Sequence, residues 1–249
     1  MKWGIFVVAL TVVTAGCIAV QQPEEDVTSE LPPGVSSDGI ENWNKLVENH
    51  RNITDGKATS LLSESLVNDR TKTTEYVLNR NTSTDGDVYM KAAEIQDGSK
   101  TEVEVWNSTD ERRLFVKVTE EGQERFLQSG GAHPYSRLVS TDKEHVFRTL
   151  DGVEKYNQTV EKMEGMPENS DVWRIKILLP AEPTVVEGEL TNKDGVLKVF
   201  VNRSGYIHRI DLSEGYHIDG KLAKGVDTNY RFEMRESVEK PGWVSDQER

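Results

Sequence analysis

The sequence is poor in cysteine, since Cys17 is the only one among 249 residues. A single cysteine excludes a disulfide within the chain. It also excludes zinc sites that are built from pairs of cysteines. The position of Cys17 near the start of the chain therefore calls for an explanation other than cross-linking or metal binding.

Basic residues are scarce beside acidic ones, with 30 Lys and Arg against 43 Asp and Glu, which gives a formal net charge of −13. This balance argues against nucleic-acid binding, where basic patches neutralise phosphate. It also argues against electrostatic attachment to anionic lipids. The acidic composition fits a protein adapted to high salt as well as an ordinary acidic extracellular protein.

The sequence also lacks the local motifs of common catalytic sites, such as a Gly-X-Ser-X-Gly elbow, a P-loop or a His-Glu-X-X-His pair. The five histidines show no spacing typical of metal ligands. Asp85-Gly86-Asp87 resembles a fragment of a calcium loop but lacks the remaining ligands. We therefore predict a protein that is not an enzyme and that holds no metal or other cofactor.

The first residues have the layout of a secretory signal peptide. Lys2 is followed by an apolar run over residues 5–13 and by Thr14-Ala15-Gly16, small residues that precede Cys17. The Ala-Gly-Cys end resembles a lipobox, which predicts a signal peptide over residues 1–16 and a lipid on Cys17. The alternative is an uncleaved transmembrane anchor over residues 4–20, which is at the short limit for crossing a bilayer.

The segment after Cys17 is rich in proline, serine and acidic residues and has no apolar period. This composition predicts a disordered tether over residues 17–37. A single folded domain over residues 38–249 would then stand at the outer face of the cell membrane, outside the cell.

The folded region opens with a helical pattern and continues with strands. Apolar spacing and an Asp38/Glu41 capping box predict a helix over residues 38–51. Alternation of period two then appears in TTEYVLNR, DVYMKAAEI, TEVEVW, RRLFVKV, VWRIKILL, GVLKVFVNRSGYIHRIDL and NYRFEMRE. The fold class predicted is α+β, with a large curved antiparallel sheet (a half-barrel) and helices packed on its concave face.

A second helix is predicted between the two sets of strands, from Thr141 to Gly165, and Gly152 within it would allow a break. Helices that cover the apolar side of the sheet wholly would make a plain core, whereas partial cover would leave a groove for an apolar ligand. The alternating apolar residues most suited to face such a ligand, if they are not ordinary core, are Trp173, Ile175, Ile177, Tyr230, Phe232 and Met234.

Glycosylation sequons occur more often than chance predicts, although a composition rich in Asn, Ser and Thr inflates their number. Several are expected in turns, where a glycan would be exposed. The acceptor residues are Asn52, Asn81, Asn107, Asn157 and Asn202.

The stretches TAGC, LPPGVSSDGIENWNKLVENH and ESVEKPGWV together resemble an uncharacterised family of haloarchaeal lipoproteins. The layout is similar to the LolA and LppX/LprG type of half-barrel lipoprotein carriers, and the hairpin VLKVFVNRSGYIHRIDL resembles their meander hairpins. This resemblance implies an eleven-stranded curved sheet that closes over helices and leaves an apolar cavity for acyl chains.

Two functions follow from these observations. The first is a membrane-anchored surface lipoprotein that binds or carries a lipid or another apolar ligand. The second is a structural or protein-interaction module of the cell envelope, which needs no cavity. The membrane, through the lipid on Cys17, is the partner that both functions imply, and neither involves nucleic acid.

Overall fold

The computed structural model describes residues 31–109, 113–128, 143–163, 171–186 and 189–247. Most of them form one eleven-stranded antiparallel sheet that does not close into a barrel. Its strand order is β8-β7-β6-β5-β4-β3-β13-β12-β11-β10-β9. The strands are β3 (Ala58–Asp69), β4 (Thr73–Thr82), β5 (Val88–Gln96), β6 (Ser99–Ser108), β7 (Arg113–Glu120), β8 (Gln123–Gln128), β9 (Asn157–Lys162), β10 (Val172–Val186), β11 (Glu189–Asn202), β12 (Ile207–Ile218) and β13 (Lys221–Arg235).

The sheet consists of two meanders, β3–β8 and β9–β13, in which neighbours in sequence pair with each other. The meanders meet where β3 pairs with β13, in a register that places Leu61 opposite Phe232. Tight hairpins such as Asp97-Gly98 and Asp219-Gly220 join several strands, and all four of these residues have positive φ. Such two-residue turns match the twist of antiparallel strands, which is why the alternating segments fold into meanders.

The first helix, α1 (Trp43–Thr54), begins later than predicted. Its N-cap is Asn42, whose side chain accepts a hydrogen bond from the Lys45 amide, and not Asp38. The short strands β1 (Val35–Ser36) and β2 (Gly39–Ile40) pair in front of it. Gly39 has a φ of 141°, which no right-handed helix allows, so the predicted start of the helix was wrong.

The second predicted helix is present only at its start. Helix α2 (Lys143–Thr149) ends before Gly152, whose φ is 79°, so the helical pattern breaks at this glycine. A 3₁₀ turn (Val153–Lys155) then leads into β9, which pairs with β10. The helix predicted up to Gly165 was therefore wrong over residues 157–162, because backbone pairing with β10 overrides a weak periodicity.

Helices α1 and α2 pack on one face of the sheet, which we call the inner face. Their buried apolar side chains pack against those of β10–β13 and of the turn before β12. We call this hydrophobic cluster the helix-covered cluster. The prediction of an open α+β half-barrel with helices on one face of a large antiparallel sheet is confirmed. The buried members of the cluster are Ile40, Trp43, Leu46, Val47, Leu61, Val146, Phe147, Leu150, Val153, Trp173, Ile175, Ile177, Leu197, Val199, Val201, Tyr206, Ile207, Ile210 and Phe232.

A second cluster occupies the inner face of the other meander, and we call it the β4–β7 cluster. It lies on the same face because Leu78 is directly opposite Ser63, two residues along β3 from Leu61. The buried apolar side chains of the three described helices all belong to other clusters. Its buried members are Leu78, Val88, Met90, Ala92, Val103, Val105, Val116 and Val118, and Leu114 packs beside them.

The end of the chain packs on the opposite, outer face. Trp106 and Phe115 alternate with residues of the β4–β7 cluster and therefore point outward. They contact Val244 of helix α3 (Gly242–Gln247) together with Trp243. Within the described ranges, no helix is long and apolar enough to cross a bilayer.

Candidate ligand-binding site

A cavity of about 170 Å³ lies on the inner face beneath the last turn of α1, where the two meanders meet. Its floor is apolar and aromatic, and its rim carries hydroxyl and charged groups. The lining residues are His50, Thr54, Thr59, Ser60, Leu61, Arg80, Thr82, Lys143, Glu144, Tyr206, Phe232 and Glu233.

His50 is the most deeply buried of the polar residues that line this cavity, with 1% of its surface exposed. Its Nδ1 accepts a hydrogen bond of 3.1 Å from the Ile207 amide. The ring stacks on Tyr206 with centroids 5.0 Å apart and meets the edge of Phe232 at 5.3 Å. These contacts join α1 to β12 and β13, and they explain why the last turn of the helix lies over the junction of the meanders.

The environment keeps His50 neutral. Burial is the largest cause that lowers its pKa to about 3, and the positive charge of Lys143 is the next. Because Nδ1 already accepts a hydrogen bond, the proton of the neutral ring lies on Nε2. His50 therefore offers a donor at the cavity.

The ratio of basic to acidic residues is higher in the lining of this cavity than in the chain as a whole. Lys143 begins α2, and Arg80 extends from β4. The nearby carboxylate of Glu144 is ion-paired with Arg51, and that of Glu233 is 3.0 Å from Arg235. In a chain with a net charge of −13, the lining of this cavity therefore holds two basic and two acidic side chains.

The cavity adjoins the β4–β7 cluster through the strand register. Arg80 is opposite Met90, and Met90 is opposite Val105. Leu61, in the cavity floor, is opposite Arg80 on the other side. Paired residues share a face of the sheet, so Leu61 and Arg80 lie on the same face as the β4–β7 cluster.

A second cavity, of about 380 Å³, lies at the other end of the helix-covered half. Leu179, Leu212 and Tyr230 contribute its apolar part. Four carboxylates surround it with a single lysine, Lys193, whose ion pair with Glu214 raises its pKa against the effect of burial. The acidic residues are Asp151, Glu182, Asp194 and Glu214. Within the described part of the chain, no three metal-ligating side chains lie close enough to hold an ion.

The residues predicted to face a ligand are not all in one place. Trp173, Ile175 and Ile177 are buried in the helix-covered cluster, away from both cavities. Phe232 lines the first cavity and Tyr230 the second. The remaining residue, Met234, is 47% exposed, and its sulfur accepts a hydrogen bond from Lys57.

The residues that sequence reasoning missed are His50, Arg80 and Lys143. His50 falls at helical spacing with the apolar residues of the helix predicted over residues 38–51, a position that indicates a buried imidazole. Arg80 had no such signal, because its position depends on the register of β4 against β3. Cys17 and the predicted signal peptide lie outside the described residues.

The sequons differ in exposure and in placement. Asn52, Asn107 and Asn157 are exposed, in α1, β6 and β9. Asn81 and Asn107 lie within strands and not in the turns predicted for them. Asn81 is half-buried and its amide donates to Asn79. Asn202 ends β11, and its side-chain oxygen accepts a bond of 2.9 Å from the Tyr206 amide. Glycosylation at these residues stays a prediction.

Comparison with known proteins finds no matching family model and no matching curated protein. Among solved structures, the chain is similar to a domain assigned to outer membrane lipoprotein sorting from Vibrio parahaemolyticus, with 12% identity, a TM-score of 0.28, and coverage of 83% of this chain and 99% of that one. It is also similar to a DUF1329 family protein from Desulfovibrio piger, with 15% identity, a TM-score of 0.26, and coverage of 83% and 96%.

A third similar structure is a β-barrel-like protein with a domain of unknown function from Brucella abortus, at 9% identity and a TM-score of 0.26. The matched region covers 72% of this chain and 98% of the Brucella protein. At these scores the similarities carry no argument about function, which rests on the cavities and clusters described above.

Proposed function

We propose that the protein is a non-enzymatic surface lipoprotein that binds or carries an apolar ligand on the inner face of its half-barrel. The observation that carries this proposal is the β4–β7 cluster. Eight buried apolar side chains share the inner face of four strands, and the apolar side chains of the three described helices pack in other clusters. Arg80, which lines the cavity beneath α1, is opposite Met90 of this cluster in the strand register.

The composition of the β4–β7 cluster suits a flexible hydrocarbon chain. Its side chains are aliphatic, apart from the thioether of Met90. Such side chains impose no ring geometry, and methionine adapts its shape readily to a neighbour. Burial of each methylene contributes about 0.8 kcal/mol, so an acyl chain of roughly ten methylenes gains enough to offset the cost of association.

The lipid on Cys17 is the proposed anchor. One acyl chain gives marginal attachment, so a stable anchor needs two. We expect the Cys17→Ser variant to leave the membrane fraction when cells are fractionated. A variant that stays bound as tightly as the wild type would instead assign the anchor to the apolar run over residues 4–20.

The ligand is tested by native mass spectrometry of residues 21–249 purified from the native host. We expect a discrete added mass that extracts into organic solvent and is a lipid. Binding is then measured with a fluorescent fatty acid in the wild type, in Ala92→Leu and in the control Ala93→Leu. Ala92 belongs to the β4–β7 cluster, whereas its neighbour Ala93 points to the outer face.

We expect Ala92→Leu to weaken binding of the fluorescent fatty acid at least tenfold and Ala93→Leu to change it less than twofold. Circular dichroism checks that both variants are folded. Equal weakening by both variants, or a protein mass without any added lipid and no binding of the probe, would contradict the proposal.

The second candidate is an interaction module of the cell envelope, and the edge strand β9 favours it. β9 (Asn157–Lys162) pairs with β10 on one side only, so among the described strands its other side has no partner. A free edge offers backbone N–H and C=O groups to a strand of another protein. A Thr159→Pro variant would abolish capture of an envelope partner under this candidate and leave fatty-acid binding intact.

A further inference from the structure

We propose that β8 (Gln123–Gln128), one edge of the eleven-stranded sheet, pairs antiparallel with β8 of a second copy of the chain. A two-fold axis perpendicular to the sheet would relate the two copies, and their sheets would join into one. This inference goes beyond the proposed function and does not depend on ligand binding.

The first support is that the edge at β8 is open. β8 pairs with β7 on one side, and among the described strands its other side has no partner. The described side chains of this strand, residues 123–127, are all exposed. A segment packed along the edge would cover part of them. β8 therefore offers its backbone N–H and C=O groups to another strand.

The second support is the apolar surface that this edge carries. Phe126 is 41% exposed and Leu127 is 38% exposed. They point to opposite faces of the sheet, because side chains alternate along a strand. On the outer face, the ring centroid of Phe126 lies 6.1 Å from that of Trp243. Pairing with a second copy would bury apolar surface on both faces.

The third support is the local balance of charge. Each copy has a net charge of −13, but the charges at this edge are already paired. Arg125 forms an ion pair with Glu120, and Glu124 lies 3.0 Å from Lys117. Two basic and two acidic side chains therefore meet an approaching copy, so the edge itself contributes little repulsion.

The register of the pairing follows from symmetry. Residues opposite each other share a face, so a two-fold axis perpendicular to the sheet must pass through a residue position and not between two. Arg125 or Glu124 at the axis would put like charges opposite each other, which is unfavourable. Phe126 at the axis pairs residues 124–128 with residues 128–124 of the copy. This register places Phe126 opposite its own copy and Arg125 opposite Leu127.

The other edge of the sheet differs from β8. Val160 is the one apolar residue of β9 (Asn157–Lys162), and it is half-buried against the helix-covered cluster. Pairing of β8 with β9 of the next copy would also leave further edges free and build an open assembly. Pairing of β8 with itself closes at two copies, and it brings together the apolar side chains of both.

The first test is sedimentation equilibrium of residues 21–249 at high salt, which screens the net charge of the two copies. We expect a dimer that dissociates on dilution, because a strand of six residues gives a small interface. Phe126→Asp places a carboxylate opposite its own copy and should weaken the dimer at least tenfold. The control Leu222→Asp makes the same change at a residue of β13 that is 61% exposed, and should keep the affinity within twofold.

The second test measures the register by disulfide formation. Residues 21–249 contain no cysteine, because the only one is Cys17. Phe126→Cys should form a disulfide-linked dimer under mild oxidation, since residues at the axis face each other. The control Glu124→Cys would lie about 13 Å from its copy along the strands, beyond the reach of a disulfide. We expect less than a tenth as much cross-linked dimer from it. Circular dichroism checks that all variants are folded.

A monomer at every concentration would overturn the proposal, and so would equal cross-linking of Phe126→Cys and Glu124→Cys. Particles that grow beyond two copies with concentration would indicate pairing of β8 with β9 and would overturn the two-fold arrangement. Binding of a fluorescent fatty acid is measured separately in Phe126→Asp. Its presence or absence tests the proposed function alone, so failure of one proposal is distinguishable from failure of the other.

Discussion

The two halves of the inner face differ in what their side chains are. The helix-covered cluster contains the aromatic rings of Trp43, Phe147, Trp173, Tyr206 and Phe232, whereas the β4–β7 cluster is aliphatic. Aromatic rings and directed hydrogen bonds favour a single arrangement of neighbours. Small aliphatic groups tolerate repacking as long as total volume is kept. The helix-covered cluster is therefore expected to keep a single packing arrangement, whereas the β4–β7 cluster can repack around a neighbouring group.

The hydrogen bonds follow the same division. In the helix-covered half, the indole of Trp43 donates to the Phe147 carbonyl at 2.9 Å, and the Tyr206 hydroxyl donates to the Phe232 carbonyl at 2.7 Å. Each bond ties a ring to the backbone of a different element. The side chains of the β4–β7 cluster have no N–H or O–H group that could donate a hydrogen bond, so their contacts are non-directional.

The largest expected difference between the halves is in the cost of removing a leucine. Leu46→Ala should lower the free energy of unfolding by about 4 kcal/mol and Leu78→Ala by about 2 kcal/mol, since cavity costs depend on how well a site collapses. Leu46 is held between helix and sheet, whereas Leu78 lies on the aliphatic surface. Urea unfolding monitored by circular dichroism measures both. Equal costs would mean that the two halves are equally rigid.

The next effect is an acid sensitivity confined to the helix-covered half. Because the pKa of His50 falls from 6.5 to about 3 on folding, its contribution to stability is present above pH 6.5 and is lost as the pH falls toward 3. Lys143, His208 and Arg51 all add to the cost of protonation. Between pH 6.5 and 5 the loss is about 2 kcal/mol.

His50→Gln should remove that part of the pH dependence, whatever its effect on stability at pH 7. The check is urea unfolding of wild type and variant at several pH values between 7 and 5. An unchanged slope in the variant would show that another group is responsible for the acid sensitivity.

A smaller effect concerns the outer face behind the β4–β7 cluster. The carboxylate of Glu104 accepts hydrogen bonds from Tyr89 at 2.8 Å and from Trp243 at 3.2 Å, and lies 3.1 Å from Lys117. Burial raises the pKa of Glu104, but the bonds from Tyr89 and Lys117 outweigh it and hold the pKa below its usual range.

Glu104→Gln should cost about 1.5 kcal/mol of unfolding free energy, because a hydrogen-bonded charge is lost from a largely buried place. Glu124→Gln removes the exposed partner of the same Lys117 and should cost less than about 0.5 kcal/mol. Urea unfolding followed by tryptophan fluorescence distinguishes the two. The reverse order would show that Glu104 does not hold the end of the chain.

The smallest effect lies at the turn between α2 and β9. Gly152 has a φ of 79°, and a Cβ there would meet no atom within 4 Å. Gly152→Ala should therefore cost about 1 kcal/mol through backbone strain alone. Gly225→Ala, where φ is ordinary and the space is equally open, should leave stability unchanged or slightly raise it. Thermal unfolding of both variants checks the difference.

The strands were predictable and the site was not, for identifiable reasons. Alternation in β10, where Trp173, Ile175 and Ile177 all face inward, is a local property that any single strand displays. The cavity, in contrast, requires His50 of α1 and Arg80 of β4 to meet across β3. That meeting depends on strand register and helix docking, which no local pattern encodes.

The two failures in the helices have separate causes. Asp38 and Glu41 match a capping box, but Gly39 takes a left-handed conformation and pairs with Ser36 instead. The segment around Val160 has a spacing that suits a helix, and pairing with β10 decides its conformation. In both segments, hydrogen bonds to a neighbouring strand replace those that a helix would have formed.

The pairing of β3 with β13 has a consequence for how the chain reaches its native state. Every other pairing in the sheet joins strands that are neighbours in sequence, so each meander can assemble from local contacts. The pairing of β3 with β13 must close a loop that contains nearly all the other strands, and loop closure of this length is slow. Helix α1 precedes β3 in the chain but packs on the strands of the second meander. We expect folding to finish with one late step, in which this pairing and the docking of α1 occur together.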